Sequence, residues 1–288
     1  MSAAAILALG AAFCFALAQI LIQFGLRYMP AWRSPLYSIG GSAVAACVAA
    51  PIFVDWTAFD PRAAAIFAVI GCFFPVAVSI LSVRSNAALG PAVAGAVGNV
   101  TPVFAVLGAV LLLGERLALL QLAGLAAVVG GVVLLALRGG TAKRQWSIWM
   151  LGLPLAAAFV RGIVQPAIKT GLGLWPDPVA ATTIGYTLST LVILAMVGRR
   201  AVREGPADRR GVAWFLAVGA TNGMATFLLY AALGLGSISL VAPLVAIFPL
   251  LALGMSLFFL HGERLAAIGV LGIFTSVAGV ILLLVGGS

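Results

Sequence analysis

Apolar residues run along this chain in blocks of about twenty, separated by short charged or Pro/Gly-rich breaks, and no block alternates apolar with polar in the period of a strand. A helix of about 20 residues crosses the roughly 30 Å hydrocarbon core of a bilayer, where only helices and closed barrels satisfy their backbone groups. Ala, Leu, Val and Gly dominate the blocks, which favours helices over barrel strands. The pattern predicts ten spans, at about 3–26, 34–54, 62–83, 88–112, 117–137, 146–169, 178–197, 211–233, 238–260 and 265–285. The first block follows Met1-Ser2-Ala3 with no basic segment ahead of it and exceeds a signal-peptide core, so it reads as a retained helix.

The pattern repeats. Gly114-Glu115-Arg116-Leu117-Ala118 returns 148 positions later as Gly262-Glu263-Arg264-Leu265-Ala266, with Gly124 and Gly131 matched by Gly272 and Gly279. Ala87-Ala88-Leu89-Gly90 returns as Ala231-Ala232-Leu233-Gly234, and Trp32-x-x-Pro35 as Trp175-x-x-Pro178, at offsets of 144 and 143. One five-helix unit used twice accounts for this: residues 1–137, a linker at 138–146, and residues 147–288. Five is odd, so the second unit enters the membrane from the opposite side, an inverted repeat around a central cavity. The expected fold is therefore an all-α integral membrane protein of ten transmembrane helices.

Charge agrees with that plan. Hydrophobic residues make up 64% and charged residues 8%, a balance that excludes a soluble enzyme, a disordered tail and a disulfide scaffold. Twelve of the 16 Lys+Arg fall in loops after odd-numbered spans and three after even-numbered ones. By the positive-inside rule this puts the odd loops in the cytoplasm and both termini outside, in an inner (cytoplasmic) membrane. The net charge of +9 lacks the concentrated basic face of a nucleic-acid binder and faces lipid headgroups instead. Cys14, Cys47 and Cys72 lie inside apolar runs without CxxC pairing and read as small hydrophobes.

Polar residues inside spans carry the candidate chemistry, because lipid penalises them. Gln19, Gln23 and Arg27 form one helical stripe; Arg161, Gln165 and Lys169 form another, superposing on the first at an offset of 142. Arg161 lies deep in its span with no carboxylate on its helix. Its planar fork suits a carboxylate or phosphate, the alternative being a cap on helix carbonyls or a snorkelling side chain. Ser79, Ser82, Asn99, Tyr186, Asn222 and Tyr230 complete the candidate cavity wall, with interhelical hydrogen bonding or plain packing as their other reading. Pro91 and Pro102, and Pro243 and Pro249 at equivalent places in the second unit, predict kinks that serve as gates or as packing devices.

All seven acids, Asp55, Asp60, Glu115, Asp177, Glu204, Asp208 and Glu263, fall at predicted helix ends or in loops, so the membrane carboxylate of a proton-coupled antiporter is missing. His261 stands alone at a helix end. No metal cluster, phosphate loop or nucleophile–base pair appears, so no enzyme activity, metal or cofactor is expected.

The ten-span plan, the duplication, and the runs from Pro102 to Gly114-Glu115-Arg116-Leu117 and from Pro249 to Gly262-Glu263-Arg264-Leu265 resemble the drug/metabolite transporter superfamily, in its EamA-type branch. The resemblance covers the whole chain. It implies a basket of helices around a central cavity, walled mainly by the first, third, fourth, sixth, eighth and ninth spans. It also implies alternating-access export of small metabolites, bacterial amino-acid exporters being most similar. The partners expected are a small-molecule substrate and membrane lipid, with no nucleic acid, and a monomer or weak homodimer. Two other functions stay open on the sequence: efflux of drugs or of other metabolites such as sugars or nucleotides, and a non-transporting lipid-handling or scaffold role.

Overall fold

The computed structural model describes residues 2–98, 100–114, 119–137, 147–248, 251–252, 254–255 and 267–286. These form α1 (Ala3–Gly25), α2 (Ser34–Phe53), α3 (Pro61–Leu89), α4 (Pro91–Gly98), α5 (Thr101–Leu113), α6 (Leu119–Leu137), α7 (Gly152–Leu174), α8 (Pro178–Arg203), α9 (Arg209–Leu235), α10 (Ile238–Val245) and α11 (Ala267–Gly286). Single 3-10 turns at Trp56–Ala58 and Ile148–Leu151 precede α3 and α7. Among the described residues six helices are long and apolar enough to span a bilayer: α1, α2, α3, α7 with its leading turn, α8 and α9. Large apolar side chains such as Val48, Ile52, Leu111 and Leu191 are exposed on the outside of the bundle, where lipid and not water is their natural surround.

The helix starts follow from the acids. Asp60, Asp177 and Asp208 each cap a helix, their carboxylates accepting from the N–H of Ala63, Ala180 and Arg210, at 2.9, 2.9 and 2.7 Å. Pro61 and Pro178 occupy the first position, where the missing N–H costs nothing. Arg84 does not end the third span, as its charge predicts; α3 runs to Leu89 and stops at Gly90, whose φ of 81° only glycine adopts freely.

The expected single fourth span is two helices. Pro91 opens α4 and Pro102 sits in the first turn of α5, so both prolines mark beginnings and neither kinks a continuous helix. α10 matches α4: each has eight residues, and they start 147 positions apart. Pro243 is inside α10, while Asn99, Pro249, the linker 138–146, His261 and both Glu-Arg-Leu motifs lie outside the described residues.

Packing is exchanged between the halves of the chain. α1 lies mainly on α9 and α7 on α3; α2 packs on α9 and α8 on α3; α2 meets α8, and α6 meets α11. A side chain at Gly25 would strike the buried ring of Phe215, and one at Gly171 the buried ring of Phe67. These contacts match α1 to α7 at an offset of 146, with Gln19 opposite Gln165 and Gln23 opposite Lys169; the offset of 142 expected from the polar stripes is one turn out. Gln23 and Lys169 behave alike: Gln23 Nε2 donates to Asn86 O, and Lys169 Nζ to Leu233 O and Gly236 O, at the ends of α3 and α9.

Small residues set the closest approaches, as in other membrane bundles. Ser42 Oγ donates to Gly219 O at 2.6 Å, and Ser189 Oγ to Gly71 O at 2.5 Å. Gly71 O is free to accept because Pro75, four residues on, has no N–H to give it. A Cβ at Gly71 would come within 2.8 Å of Gly185 Cα, and one at Gly219 within 3.0 Å of Ser42 N. Gly71→Ala and Gly219→Ala are therefore each expected to destabilise the bundle by about 1–3 kcal/mol. Unfolding midpoints in detergent check this, and wild-type midpoints for both variants would refute it.

Candidate functional site

A cavity opens between α1, α2, α3, α8 and α9. Phe15, Ala18, Gln19 and Ile22 face it from one side of α1, and Val218, Asn222, Thr226 and Leu229 from one side of α9, each set at helical spacing. α2 adds Ser38, Ile39 and Ser42; α3 adds Phe74, Pro75, Val78, Ser79, Ser82 and Val83. Arg161 of α7, Tyr186 of α8 and Phe248 complete the wall. The empty space of this cleft is about 760 Å³ with its mouth included.

The cavity lies toward one end of the bundle. Its residues come from the second half of α1, the first half of α2 and the middle and second half of α3, on the side of the loops at 26–33 and 204–208. Arg33 ties those two loops together through a 2.7 Å hydrogen bond to Gly205 O. The other half of the bundle is filled by the largest apolar cluster, including Phe67, Ile70, Ile168, Leu172, Trp175 and Leu233. Phe74 and Leu229 belong to both and form the cavity floor.

Beyond the floor that end is latched. Asp177 accepts from Asp55 N at 2.7 Å, and Trp175 Nε1 donates to Asp55 O at 3.2 Å. Trp56, Phe59 and Phe67 pack around the indole of Trp175. The Thr57 hydroxyl and N–H both donate to Asp55, which holds its carboxyl below the ordinary range.

Arg161 sits where three chambers meet, the main cleft and two small side pockets. Its guanidinium lies 5.5 Å from the centroid of Phe15 and 5.9 Å from that of Phe248. Such contacts offer about 0.5–2 kcal/mol each, against about 2.5–3.5 kcal/mol for a charge at mid-membrane. The rings steady the cation without neutralising it. Among the described residues the ion pair present is Arg200–Glu204, and every carboxylate lies at a helix end or in a loop, so Arg161 has no protein anion.

The other polar groups divide by commitment. Gln19 Oε1 accepts from Asn86 Nδ2, which also donates to Ser82 O. Tyr186 shares a 2.9 Å hydrogen bond with Thr226 and donates to Asn222 O. Ser79 pairs with Ser38 at 3.4 Å. Gln165 lies in a side pocket with Thr101, Phe15, Leu229, Phe248 and Arg161. Two candidates stand apart from the cleft: Gln23 faces a shallow depression with Arg27 and Pro30, and Tyr230 is buried in the apolar cluster at the closed end.

Asn86, Phe15 and Phe248 are site residues that sequence reasoning misses. Asn86 falls beyond the expected end of the third span, and a phenylalanine in an apolar run carries no mark of its own. Thr226 was legible, one turn from Asn222 on the same face.

The comparisons agree with this architecture. A solved crystal structure aligns with a TM-score of 0.69 over 98% of this chain and 95% of its own, at 19% identity, which speaks for the fold alone. A probable terminal-alkyne amino-acid exporter of Streptantibioticus cattleyicolor is 41% identical over 70 residues, 24% of this chain. The match spans 23% of that exporter's length. The profile of the EamA-like transporter family matches twice, at residues 2–137 and 146–285. The chain is a multi-pass membrane protein and belongs to the EamA-like transporter family.

Proposed function

We propose that this protein exports small amphipathic metabolites, α-amino acids foremost, by alternating access between two inverted five-helix halves, residues 1–137 and 147–288 joined by a linker at 138–146. The observation that carries the reading is Arg161, a cation without a counter-ion among the described residues, in a cleft otherwise walled by amides, hydroxyls and apolar side chains. That set suits a ligand with one carboxylate, polar groups and apolar bulk. The named exporter of an amino acid among its relatives supports this choice.

Loop pairing supports the inverted arrangement of ten spans. The loop after α1 meets the loop after α8, and the loop after α2 meets the loop after α7. In a chain of alternating spans, this pairing requires α1 and α7 to run in opposite directions. The arginine-rich loops lie at the cavity end, so the positive-inside rule makes this an inward-open form with the latched end facing out. The seven acids stand at predicted helix ends or in loops along the sequence, which favours facilitated transport over proton coupling.

Counterflow of radiolabelled amino acids in proteoliposomes tests the reading. At least one amino acid is expected to exchange, at a rate indifferent to an imposed pH gradient. Absence of exchange across a full amino-acid panel refutes the assignment.

A further inference from the structure

The two halves differ at one matched position, and the difference leaves an open acceptor beside the unpaired cation. Gln19 and Gln165 are counterparts on α1 and α7. Gln19 Oε1 is satisfied by Asn86 of α3. On α9 the place of Asn86 falls within Ala232-Leu233-Gly234: Lys169, counterpart of Gln23, reaches the carbonyl of Leu233, the matched rings of Phe67 and Phe215 point to Gly234, and the matched helix ends point to Ala232. None of these three residues has a side chain that can donate. Gln165 is 4% exposed, and its Oε1 is buried without a hydrogen-bond partner.

Among the described residues nothing else in the side pocket fills that role. The Thr101 hydroxyl is committed to Gly98 O, and Ala242, Val245, Ala246 and Leu229 are apolar. Arg161, one helical turn away, turns its guanidinium to the rings of Phe15 and Phe248. Asn86 Oδ1 is also unpartnered, but its chamber contains Ser82 and Ser85 on its own helix. A buried acceptor left unpaired is costly, and evolution tolerates one most readily where a ligand completes it.

We propose that Arg161 and Gln165 clamp the head group of an α-amino acid, the guanidinium taking its carboxylate and Gln165 Oε1 accepting from its ammonium. Residues at this spacing have Cβ atoms about 5–6 Å apart, which suits two groups borne on one carbon. The clamp lies on the closed side of the cleft, so the ligand's side chain extends toward Gln19, Ser79 and Asn222. The primary amine is thus a specificity determinant: a carboxylate lacking it leaves Gln165 unpaired. The inference rests on the amino-acid reading above and narrows it to one subsite.

The test is binding to the purified full chain of three matched pairs: L-phenylalanine and 3-phenylpropanoate, L-leucine and 4-methylpentanoate, L-serine and 3-hydroxypropanoate. Wild type is expected to favour the amino acid about tenfold or more in at least one pair. Gln165→Met should bring that preference to within about twofold with the des-amino ligand's affinity unchanged, and its melting temperature should hold or rise because an orphaned polar atom is gone. Arg161→Met should weaken both members of the pair. A preserved preference in Gln165→Met overturns the clamp alone. Failure of wild type to bind any of the three amino acids overturns the clamp together with the amino-acid reading. Gln165→Asn, which keeps the carbonyl on a shorter arm, is expected to retain part of the preference; if Gln165→Met unfolds, loss of the preference in the folded Asn variant without loss of carboxylate binding carries the decision.

Discussion

Replacing Arg161 with methionine is expected to lower counterflow of carboxylate substrates by two orders of magnitude or more while leaving the protein folded. The two effects separate because they draw on different terms. In the empty protein the substitution removes a mid-membrane charge costing about 2.5–3.5 kcal/mol and gives up two ring contacts of about 0.5–2 kcal/mol each. The unfolding midpoint should therefore stay near that of wild type. In the loaded protein the same change strips a buried carboxylate of its partner, for which about 3–5 kcal/mol is typical, a factor of roughly 10² to 10⁴. Arg161→Lys keeps the charge but loses the planar fork and, with it, the bidentate grip, so an intermediate loss is expected. Flux in proteoliposomes and melting in detergent, measured on the same preparations, decide the matter. Flux by Arg161→Met within twofold of wild type would remove the arginine from the site.

The sequence revealed Arg161 because a lone charge in an apolar run has few explanations, and it placed the acids at helix ends because the membrane expels carboxylates from apolar runs. Asp60, Asp177 and Asp208 stand where that chemistry puts them. Helix ends inside the membrane were harder to read. Arg84 suggested a boundary, but the chain continues as helix to Leu89, and the break instead comes at Gly90-Pro91, whose meaning depends on a backbone angle.

The register between halves was misread for a similar reason. Seven residues separate Gly25 from Trp32 and four separate Gly171 from Trp175. The tryptophan match beyond that difference therefore gives an offset that fails before it, and the polar stripes, which repeat every four residues, superpose as well one turn out of register. Only the contacts of Gly25 with Phe215 and of Gly171 with Phe67 fix the pairing of Gln19 with Gln165, and hence the missing donor beside Gln165. Tyr230 shows the complementary failure: a tyrosine two turns from Asn222 fits a cavity wall on a helical wheel, but its end of the helix is the packed one.

Covalently joining the loops at the latched end is expected to stop transport at least tenfold, and reduction of the link to restore it. The latch holds one charge-assisted hydrogen bond, Asp177 to Asp55 N, and one neutral one, Trp175 Nε1 to Asp55 O. At about 1.5–3 and 0.5–1.5 kcal/mol these bonds add only a few kcal/mol to the packing of Trp56, Phe59 and Phe67 on Trp175, and the opened form is the minor state reached when bonds and packing give way together. That is what alternating access requires of a gate. A cross-link removes the minor state outright while leaving the cleft at the other end untouched. Asp55→Cys with Pro176→Cys serves the purpose, since both side chains are exposed and neither caps an α-helix. Cys14, Cys47 and Cys72 would first be replaced by alanine, because all three are free thiols. With a short bis-thiol reagent, counterflow should collapse and return on reduction, whereas amino-acid binding measured in detergent should persist throughout. Counterflow that survives complete cross-linking would mean that substrate does not leave between these loops, and the outward path would then have to run elsewhere in the bundle.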